Sequence, residues 1–303
     1  DGRLGMAARA GAFTRLGAQD MTMPAGRGLV GRCLREGRVV LAGDVTREPD
    51  YAPTPATEDV RSELDVPVVV DGRPWGVLSV QSAVPNAFDD ADVAMLRAAG
   101  HQLAVALRSS ALHERLERAQ MGTAEALRAA LDARAAATTR ADAALEQRCQ
   151  AVGRALRMSE QELRTLRYAA ILHDIGELSV PEEILNKPGP LTDDERPTIE
   201  RHPLIAEGIL SPVEFLADAL PLVRAAHERW DGTGYPDGLS GEQIPLGARI
   251  LFACDCYDAM TAERPYRAAL PAEEAKQELR RVAGTQLDPR VVDALLGVLD
   301  AGS

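Results

Sequence analysis

The chain has 303 residues, of which 46% are hydrophobic and 26% are charged, and this length is long for one domain and sufficient for two. Its formal net charge of −12 argues against partners such as nucleic-acid polymers or anionic membranes, because surfaces that bind them need an excess of lysine and arginine. No segment approaches the roughly 20 apolar residues of a membrane-spanning helix, and the four cysteines are scattered without paired spacing, which favours a reduced, cytoplasmic setting.

The N-terminal part, residues 1–107, has the pattern of a mixed α and β domain. Two strand-like runs occupy Leu64–Val70 and Trp75–Gln81, and the dipeptide Asp71-Gly72 between them is a strong signal for a hairpin turn. Helical periodicity follows over Val93–Leu107. These elements predict an α+β domain that ends in a helix.

This first part resembles a GAF domain, a small-molecule sensor module. The resemblance rests on the helix that closes the domain and on four short segments, which are Pro24–Gly31, Arg61–Pro67, Gly76–Val80 and Phe88–Asp92. The family usually has a further helix and strand before these segments, so we expect a GAF-like sensor domain over residues 1–107 that is incomplete at its N-terminus. The resemblance implies a small-molecule ligand for this domain, whose identity the residues do not indicate.

The segment after the sensor domain is continuous helix-forming sequence, rich in alanine, arginine and glutamate and free of proline. Its leucines have a partly heptad-like spacing, typical of parallel coiled linkers that join a sensor to an effector. These leucines are Leu112, Leu116, Leu127 and Leu131. We therefore expect a connecting helix over residues 108–135 and a homodimer formed through it, and a solvated helix without self-association is the alternative.

The remaining residues, 136–303, show one helical pattern after another, each followed by a plausible stop and none by alternating strand periodicity, which predicts an all-α domain. Three of the five histidines of the chain lie here beside acids. His173 and Asp174 are adjacent at the end of a predicted helix, while His202 precedes a proline at a helix start. His227 closes a further helix, and Asp255 lies inside an apolar helix, where a carboxylate is costly unless it is paired or bound to a metal.

Imidazoles and carboxylates from several helices can converge on one or two divalent ions, and such ions turn water into a nucleophile. We therefore predict that these five residues, His173, Asp174, His202, His227 and Asp255, are metal ligands and that His173 and Asp174 take part in catalysis. The alternative for any one of them alone is an ordinary core or surface polar residue. The spacing of the whole set favours a metal centre.

The same half of the chain resembles the HD-GYP family, bacterial phosphodiesterases that act on cyclic di-GMP. The resemblance extends from about residue 130 to about residue 297 and rests on seven segments. They are His-Asp-Ile-Gly at 173–176, 184–192, His-Pro at 202–203, His-Glu-Arg-Trp-Asp-Gly-Thr-Gly-Tyr-Pro at 227–236, 244–250, 255–267 and 284–289. The complete expectation is thus a multidomain chain in which an α+β GAF-like sensor is followed by an all-α HD-type helical bundle.

The resemblance implies a bi- or trinuclear iron or manganese centre, held by the five predicted ligands, and a metal-activated hydroxide that attacks one phosphorus of cyclic di-GMP. It also implies a set of residues that line the substrate site. This set comprises Gly234, Tyr235, Pro236, Asp258, Arg264 and Arg267. For the two arginines the chemistry agrees, because a guanidinium fork suits phosphate oxygens, and surface ion pairing is their alternative role.

Three positions depart from the pattern of the family. Glu177 stands where His-Asp-x-Gly is usually followed by lysine, Ala226 stands at the first of two paired histidines, and Ala141 occupies the expected place of a histidine on the first helix of the bundle. Each lost imidazole opens a coordination position, so we expect a partly degenerate site that binds one or two ions. Glu177 adds like-charge repulsion toward the dianionic substrate, or it is a replacement ligand.

The function predicted from these residues is metal-dependent hydrolysis of cyclic di-GMP, regulated by the GAF-like domain. Two alternatives stay open. The first is a catalytically inactive cyclic-dinucleotide receptor or interaction module that keeps the fold, and the second is a metal phosphohydrolase for another nucleotide. The retained Asp174 and Tyr235 favour nucleotide handling, whereas the missing histidines favour lost turnover.

Overall fold

The structure is a computed structural model that describes residues 3–8, 10, 22–53, 57–132, 142–185, 187, 189–262 and 269–301. The chain divides into two compact units, residues 1–117 and 118–303. The first contains both strands and helices, and in the described part of the second every regular element is a helix, apart from one isolated bridge between Ala283 and Leu287. The predicted fold class, an α+β domain followed by an all-α domain, is confirmed.

The N-terminal unit contains a two-stranded and a three-stranded antiparallel sheet. The strands are β1 Arg3–Gly5, β2 Thr22–Pro24, β3 Val40–Ala42, β4 Ser62–Val70 and β5 Arg73–Ser82. The β4–β5 hairpin turns at Asp71 and Gly72, both of which have positive φ, 50° and 75°, as the Asp-Gly signal predicts. The two strands are longer than the sequence pattern indicates because pairing continues into polar residues at their ends.

Two helices accompany the larger sheet. Helix α1, Gly28–Glu36, buries Leu29 and Cys33 in a cluster with residues of β3. Helix α2, Asp90–Asp132, begins where Asp89 accepts hydrogen bonds from the backbone N–H groups of the first helical turn. This one helix of 43 residues includes the predicted helix over 93–107 and most of the predicted connecting helix, whose last residues, 133–135, lie outside the described residues.

Nine further helices follow in the described part of the C-terminal unit. They are α3 Asp142–Ala155, α4 Glu160–Leu172, α5 Glu182–Leu185, α6 Arg196–Glu200, α7 His202–Leu210, α8 Leu220–Arg224, α9 Leu246–Thr261, α10 Ala272–Val282 and α11 Pro289–Ala301. The larger of two hydrophobic clusters in this described part forms the core, and α3, α4, α9 and α11 contribute Val152, Leu166, Leu251 and Leu295 to it. The helix that immediately precedes the first predicted ligands, α4, begins with a capping box between Ser159 and Glu162.

A short 3-10 helix, Ile175–Ser179, follows α4 and packs against α7. Gly176 makes this approach possible, because a Cβ atom there would stand 1.9 Å from the backbone oxygen of His202. The sequence therefore brings Asp174, immediately before the 3-10 helix, next to the first residue of α7.

All four cysteines are free, and three of them, Cys33, Cys149 and Cys254, are buried, where a free cysteine packs as a small hydrophobic residue. None of the helices in the described residues is both long and apolar enough to cross a membrane.

Candidate metal centre

His173 directly follows α4, and its backbone N–H still donates to Ala169 at 2.9 Å. Its ring is almost completely buried, and ring Nδ1 lies 3.2 Å from the carbonyl oxygen of Ala170. A histidine whose Nδ1–H donates to a backbone carbonyl presents the lone pair of Nε2 on its opposite side. In His173 that Nε2 is directed to Asp174, whose Oδ2 is 3.1 Å away.

His202 is the first residue of α7, and its Nδ1 lies 2.7 Å from the carbonyl oxygen of Ile199. The same reasoning leaves Nε2 of His202 as the free nitrogen. This atom lies 3.0 Å from Nε2 of His227, which follows α8. Burial lowers the pKa of His202, and burial together with the nearby His202 lowers the pKa of His227 to about 3, so both rings are neutral donors of an electron pair.

Asp174 stands between these histidines. Its Oδ1 lies 3.8 Å from Nε2 of His202 and 3.9 Å from Nε2 of His227, while its Oδ2 faces His173. Asp174, His202 and His227 each offer a ligand atom, and the three atoms lie within 4.8 Å of one another. One carboxylate oxygen of Asp174 therefore faces the rings of His202 and His227, and the other faces the ring of His173.

The donor set fits a divalent ion. Nε2 of His173 is buried and has no hydrogen-bond partner of acceptable geometry among the described residues, although Asp174 lies beside it. Burial opposes a charge on this ring, but the adjacent Asp174 carboxylate outweighs burial and raises the pKa of His173 to about 9. Burial likewise opposes the charge of Asp174, and the three imidazoles, His173 foremost, nevertheless hold its pKa well below the usual range. A buried anion surrounded by imidazole nitrogens is the environment that a cation neutralises.

Asp255, the fifth predicted ligand, lies on α9 and outside the group of three residues just described. Its carboxylate is an electrostatic neighbour of His173 and of Tyr235, since it raises the pKa of both. The structure thus gathers four predicted ligands directly, and Asp255 lies near enough to act on the charge of His173 and Tyr235.

The Gly-Tyr-Pro loop borders the same imidazoles. The ring of Tyr235 stacks on that of His227 with centroids 5.2 Å apart and an angle of 12° between the planes. The adjacent Gly234 admits no side chain, because a Cβ atom would lie 2.3 Å from the backbone nitrogen of Arg229 and 2.7 Å from the oxygen of His227. Burial raises the pKa of the Tyr235 hydroxyl, so this residue faces the centre as a neutral phenol.

The family assignment follows from comparison with known proteins. Residues 104–291, more than half of the chain, match the family described as HD domain, and residues 1–108 match the one described as GAF domain. The chain belongs to the HD domain family.

Several relatives and structures resemble this HD domain protein. The cyclic di-GMP phosphodiesterase response regulator RpfG of Xanthomonas campestris is 44% identical over 147 residues, which are 48% of this chain and 39% of that protein. The 3'3'-cGAMP-specific phosphodiesterase 3 of Vibrio cholerae is 40% identical over 149 residues, 49% of this chain and 32% of that protein. A crystal structure of a cyclic GMP-AMP specific phosphodiesterase of V. cholerae has 22% identity and a TM-score of 0.39, covering 52% of this chain and 43% of that chain. The chain spans less than two fifths of the length of either of the two sequence relatives.

The predicted substrate residues of the HD domain have different surroundings. Gly234, Tyr235 and Pro236 belong to the loop beside the centre, whereas the buried carboxylate of Asp258 pairs with Arg148 of α3. Arg148 also lies over the ring of Tyr257, at 4.9 Å from its centroid. A substrate contact by Asp258 stays a prediction, and the predicted contacts Arg264 and Arg267 lie outside the described residues, as does Ala141.

One acid of the HD domain, Glu228, has a role that the sequence did not suggest to us. Glu228 is buried, and its two carboxylate oxygens accept hydrogen bonds from the backbone N–H groups of Asp237 at 2.7 Å and Leu239 at 3.0 Å. Glu228, the residue after His227, thereby holds the backbone that follows the Gly-Tyr-Pro sequence. The sequence could have indicated this role, because Glu228 directly follows the predicted ligand His227. Glu177, expected either to repel the substrate or to replace a ligand, is an electrostatic neighbour of Asp174: burial, followed by the Asp174 carboxylate, raises the pKa of Glu177 to about 8.

Proposed function

We propose that the chain is a metal-dependent phosphodiesterase that hydrolyses cyclic di-GMP to a linear dinucleotide under the control of its GAF domain. The observation that carries the proposal is the group of Asp174, His202 and His227, with His173 in contact with the second oxygen of Asp174. Three neutral or neutralisable imidazoles around one carboxylate match the ligand preferences of iron and manganese.

The residues that would hold one or two divalent ions, iron or manganese, are His173, Asp174, His202, His227 and Asp255. Bound in this way, such an ion supplies a nucleophile from water at neutral pH and neutralises charge on the phosphate. The protein contributes rigid orientation: backbone carbonyls fix the rings of His173 and His202, and the 3-10 helix fixes Asp174. A fixed geometry is required because a displacement of about 1 Å from the productive arrangement costs on the order of 10²-fold in rate.

Substrate recognition is assigned to the Gly-Tyr-Pro loop and to the arginines that follow α9. Tyr235 adjoins His227 and can contact a bound dinucleotide, while Arg264 and Arg267 are suited to its phosphate oxygens. The relatives named as cyclic di-GMP and 3'3'-cGAMP phosphodiesterases support a cyclic dinucleotide as the substrate class. The loss of two imidazoles, represented by Ala226 and Ala141, predicts a slower enzyme than one with a complete ligand set.

A receptor that binds the dinucleotide without hydrolysing it is the second candidate. It is favoured by Ala226, a buried alanine directly beside His227 where the family resemblance implies a second imidazole. No histidine exists between residues 114 and 172 to replace the other missing ligand. A receptor needs the loop and the arginines but not the complete metal centre.

Incubation of the purified chain with Mn²⁺, or anaerobically with Fe²⁺, and separately with cyclic di-GMP and 3'3'-cGAMP distinguishes these candidates. The phosphodiesterase forms a linear dinucleotide that chromatography resolves, and Asp174→Ala abolishes both product formation and metal retention. Dinucleotide binding without product supports the receptor. Less than one metal per chain together with no product contradicts the phosphodiesterase.

Control by the GAF domain involves α2, which has exposed apolar residues in its part within the first compact unit. Val105, Leu112 and Leu116 are exposed and separated by seven and four residues, so they lie on one face of the helix. This face supports a homodimer through α2. Sedimentation equilibrium is expected to give a dimer that Leu112→Lys converts to a monomer, and a monomeric unmodified chain at micromolar concentration contradicts the dimer.

A further inference from the structure

One face of the larger sheet contains four polar side chains on two neighbouring strands. In β4, Glu63 and Asp65 are separated by one residue, so both side chains lie on the same face. The register pairs Asp65 with Ser79 of β5 and Glu63 with Gln81. Directly opposite residues of an antiparallel pair share a face, and the hydroxyl of Ser79 lies 3.5 Å from Oε1 of Glu63. Two carboxylates, a hydroxyl and an amide therefore form one polar group.

The same face lies in the interior of the domain, on the side of α1. On the other side of β4, the register places Val40 of β3 opposite Asp65. Val40 belongs to a hydrophobic cluster with Leu29 and Cys33 of α1. Asp65 is completely buried, and Glu63 is 3% exposed. Acids are rarely buried to this extent unless they are paired, so the two carboxylates occupy positions that a sheet usually gives to apolar residues.

Asp65 is without a partner in this interior. Neither of its carboxylate oxygens has a hydrogen-bond partner of acceptable geometry among the described residues. In the same part of the chain, no basic side chain forms an ion pair with Asp65 or Glu63. The guanidinium of Arg32 on α1 acts on the charge of Asp65, but it forms its own ion pairs. Its partners are Glu48 at 3.0 Å and Asp50 at 3.6 Å. A buried carboxylate without a counter-ion is unfavourable unless a cation is supplied.

The two acids hold a proton where a cation would fit. Burial, followed by the Glu63 carboxylate, raises the pKa of Asp65 to about 8, and burial raises the pKa of Glu63 as well. Two other titratable groups pack in this region. They are the thiol of Cys33, whose pKa burial raises to about 12, and Tyr51, whose hydroxyl donates to the carbonyl oxygen of Thr57. Both are neutral, so a cation between the carboxylates would displace the proton that Asp65 holds.

The polar group is closest to solvent at β5. Ser79 is exposed and Gln81 is half-buried, whereas the two acids on the next strand are buried. A cation that enters from this side meets the hydroxyl and the amide first and the carboxylates behind them. A primary ammonium has three N–H donors and no acceptor, so it can donate to one oxygen of each acid and to the hydroxyl of Ser79 or the amide oxygen of Gln81. Hydrogen bonds between charged groups are about twice as strong as neutral ones.

We propose that the polar group of Glu63, Asp65, Ser79 and Gln81 is a ligand site of the N-terminal domain and that its ligand carries a primary ammonium group, as amines and amino acids do. A ligand of this chemistry supplies the charge that the two buried carboxylates lack, whereas a neutral or anionic ligand would leave them uncompensated. The inference goes beyond the proposed hydrolysis, because binding in this domain requires neither a metal ion nor a dinucleotide.

Calorimetric titration of the full chain at pH 7 with n-butylammonium, L-norleucine and 1-butanol tests the proposal. At least one of the two ammonium compounds is expected to bind, and 1-butanol, which has the same carbon chain without the charge, is not. A preference between n-butylammonium and L-norleucine distinguishes an amine from an amino acid as the ligand. Repetition in phosphate and HEPES buffers, which differ in ionisation enthalpy, is expected to show release of about one proton per ligand bound.

Two variants remove one charge each and keep the shape of the side chain. Asp65→Asn and Glu63→Gln are each expected to weaken binding roughly tenfold or more, and Asp65→Asn is also expected to abolish the proton release. Either variant provides the test if the other does not fold. Asp59→Asn, at an exposed position of the same domain, is the matched control and should bind as the unmodified chain does.

Failure of both ammonium compounds to bind in the millimolar range would overturn the inference, as would equal affinity of the two variants and the unmodified chain. Binding of Ca²⁺ that Asp65→Asn abolishes would assign the site to a metal ion and would overturn it too. Hydrolysis of cyclic di-GMP is measured separately. A chain that binds an ammonium compound without hydrolysis contradicts only the proposed function, and hydrolysis without ammonium binding contradicts only this inference.

Discussion

Replacement of Gly176 by alanine tests whether the contact between the 3-10 helix and α7 sets the geometry of the metal centre. Gly176 lies two residues after Asp174, and the backbone it touches belongs to His202. The substitution adds one methyl group and changes no charge. Any effect on metal binding therefore comes through the distance between the two elements that carry these ligands.

The added Cβ atom would stand 1.9 Å from the oxygen of His202 and 2.8 Å from the nitrogen of Ala206. Ordinary contact begins at 3.4 Å, so the elements must separate by about 1.5 Å. Because both neighbours are backbone atoms, no side-chain rotation can relieve the overlap. Overpacking of this kind costs about 1–3 kcal/mol and occasionally more, and we expect a loss at the upper end of that range.

The same separation would act on the distance between Oδ1 of Asp174 and Nε2 of His202, which is 3.8 Å. Two ligands of one ion cannot tolerate a further 1.5 Å without losing one of them. We expect Gly176→Ala to unfold in urea at a lower midpoint and to bind Mn²⁺ at least tenfold more weakly. Gly208→Ala on the same α7 is the control: nothing lies within 4 Å of its added Cβ, and it should gain up to about 1 kcal/mol.

Equal stability of Gly176→Ala and the unmodified chain, to within about 0.5 kcal/mol, would show that the two elements are not in contact as described. Normal stability together with weak Mn²⁺ binding would contradict the steric reasoning in another way, since the overlap must cost free energy before it can displace a ligand.

Three further substitutions test other parts of the molecule. Burial, followed by the Glu63 carboxylate, raises the pKa of Asp65 from 3.8 to about 8, so between these two pH values the folded state keeps a proton that the unfolded chain releases. The free energy of unfolding is therefore expected to fall by up to about 1.4 kcal/mol per pH unit as the pH rises through this range. Asp65→Asn should flatten that slope when unfolding by urea is measured at several pH values. Arg157 lies just after the end of α3 and has φ 62°, so Arg157→Gly is expected to raise the free energy of unfolding by about 1 kcal/mol, as measured in thermal melts. Glu228→Ala removes the acceptor of two loop N–H groups and should cost about 3 kcal/mol.

Each of these three predictions would be contradicted by a specific result. A pH slope that persists in Asp65→Asn would mean that another group holds the proton. A lower melting temperature for Arg157→Gly would mean that the arginine side chain contributes more than its backbone strain costs. Unchanged stability of Glu228→Ala would mean that water replaces the carboxylate as acceptor.

Much of the fold could be predicted because it depends on neighbours along the chain. The hairpin follows from the Asp71-Gly72 turn between two runs of strand-forming residues, and α4 follows from the capping box at Ser159. The glutamate three residues after that serine and the glycine at the turn act within a few positions. Such signals are readable in the sequence because the partners are only a few residues apart.

The predicted ligands could also be named from the sequence, since His173 and Asp174 are adjacent and His202 precedes a proline. Only the tertiary structure decided how they are arranged. His202 and His227 are separated by 25 residues, and their 3.0 Å contact depends on the packing of α7 against α8. The pairing of Asp258 with Arg148 spans 110 residues and was not foreseen. Partners at such separations are chosen by the packing of whole helices, which no local pattern encodes.

The directions of the two Asp174 oxygens, one toward His202 and His227 and the other toward His173, also could not be read from the sequence. They depend on where α7 meets the turn after α4. The sequence by itself determined the chemistry of the centre, namely which imidazoles and carboxylates are present. The tertiary structure determined which oxygen of Asp174 faces which ring. The physical reason is that residue type sets what an atom can bind, whereas the packing of backbone against backbone, as at Gly176, sets what it can reach.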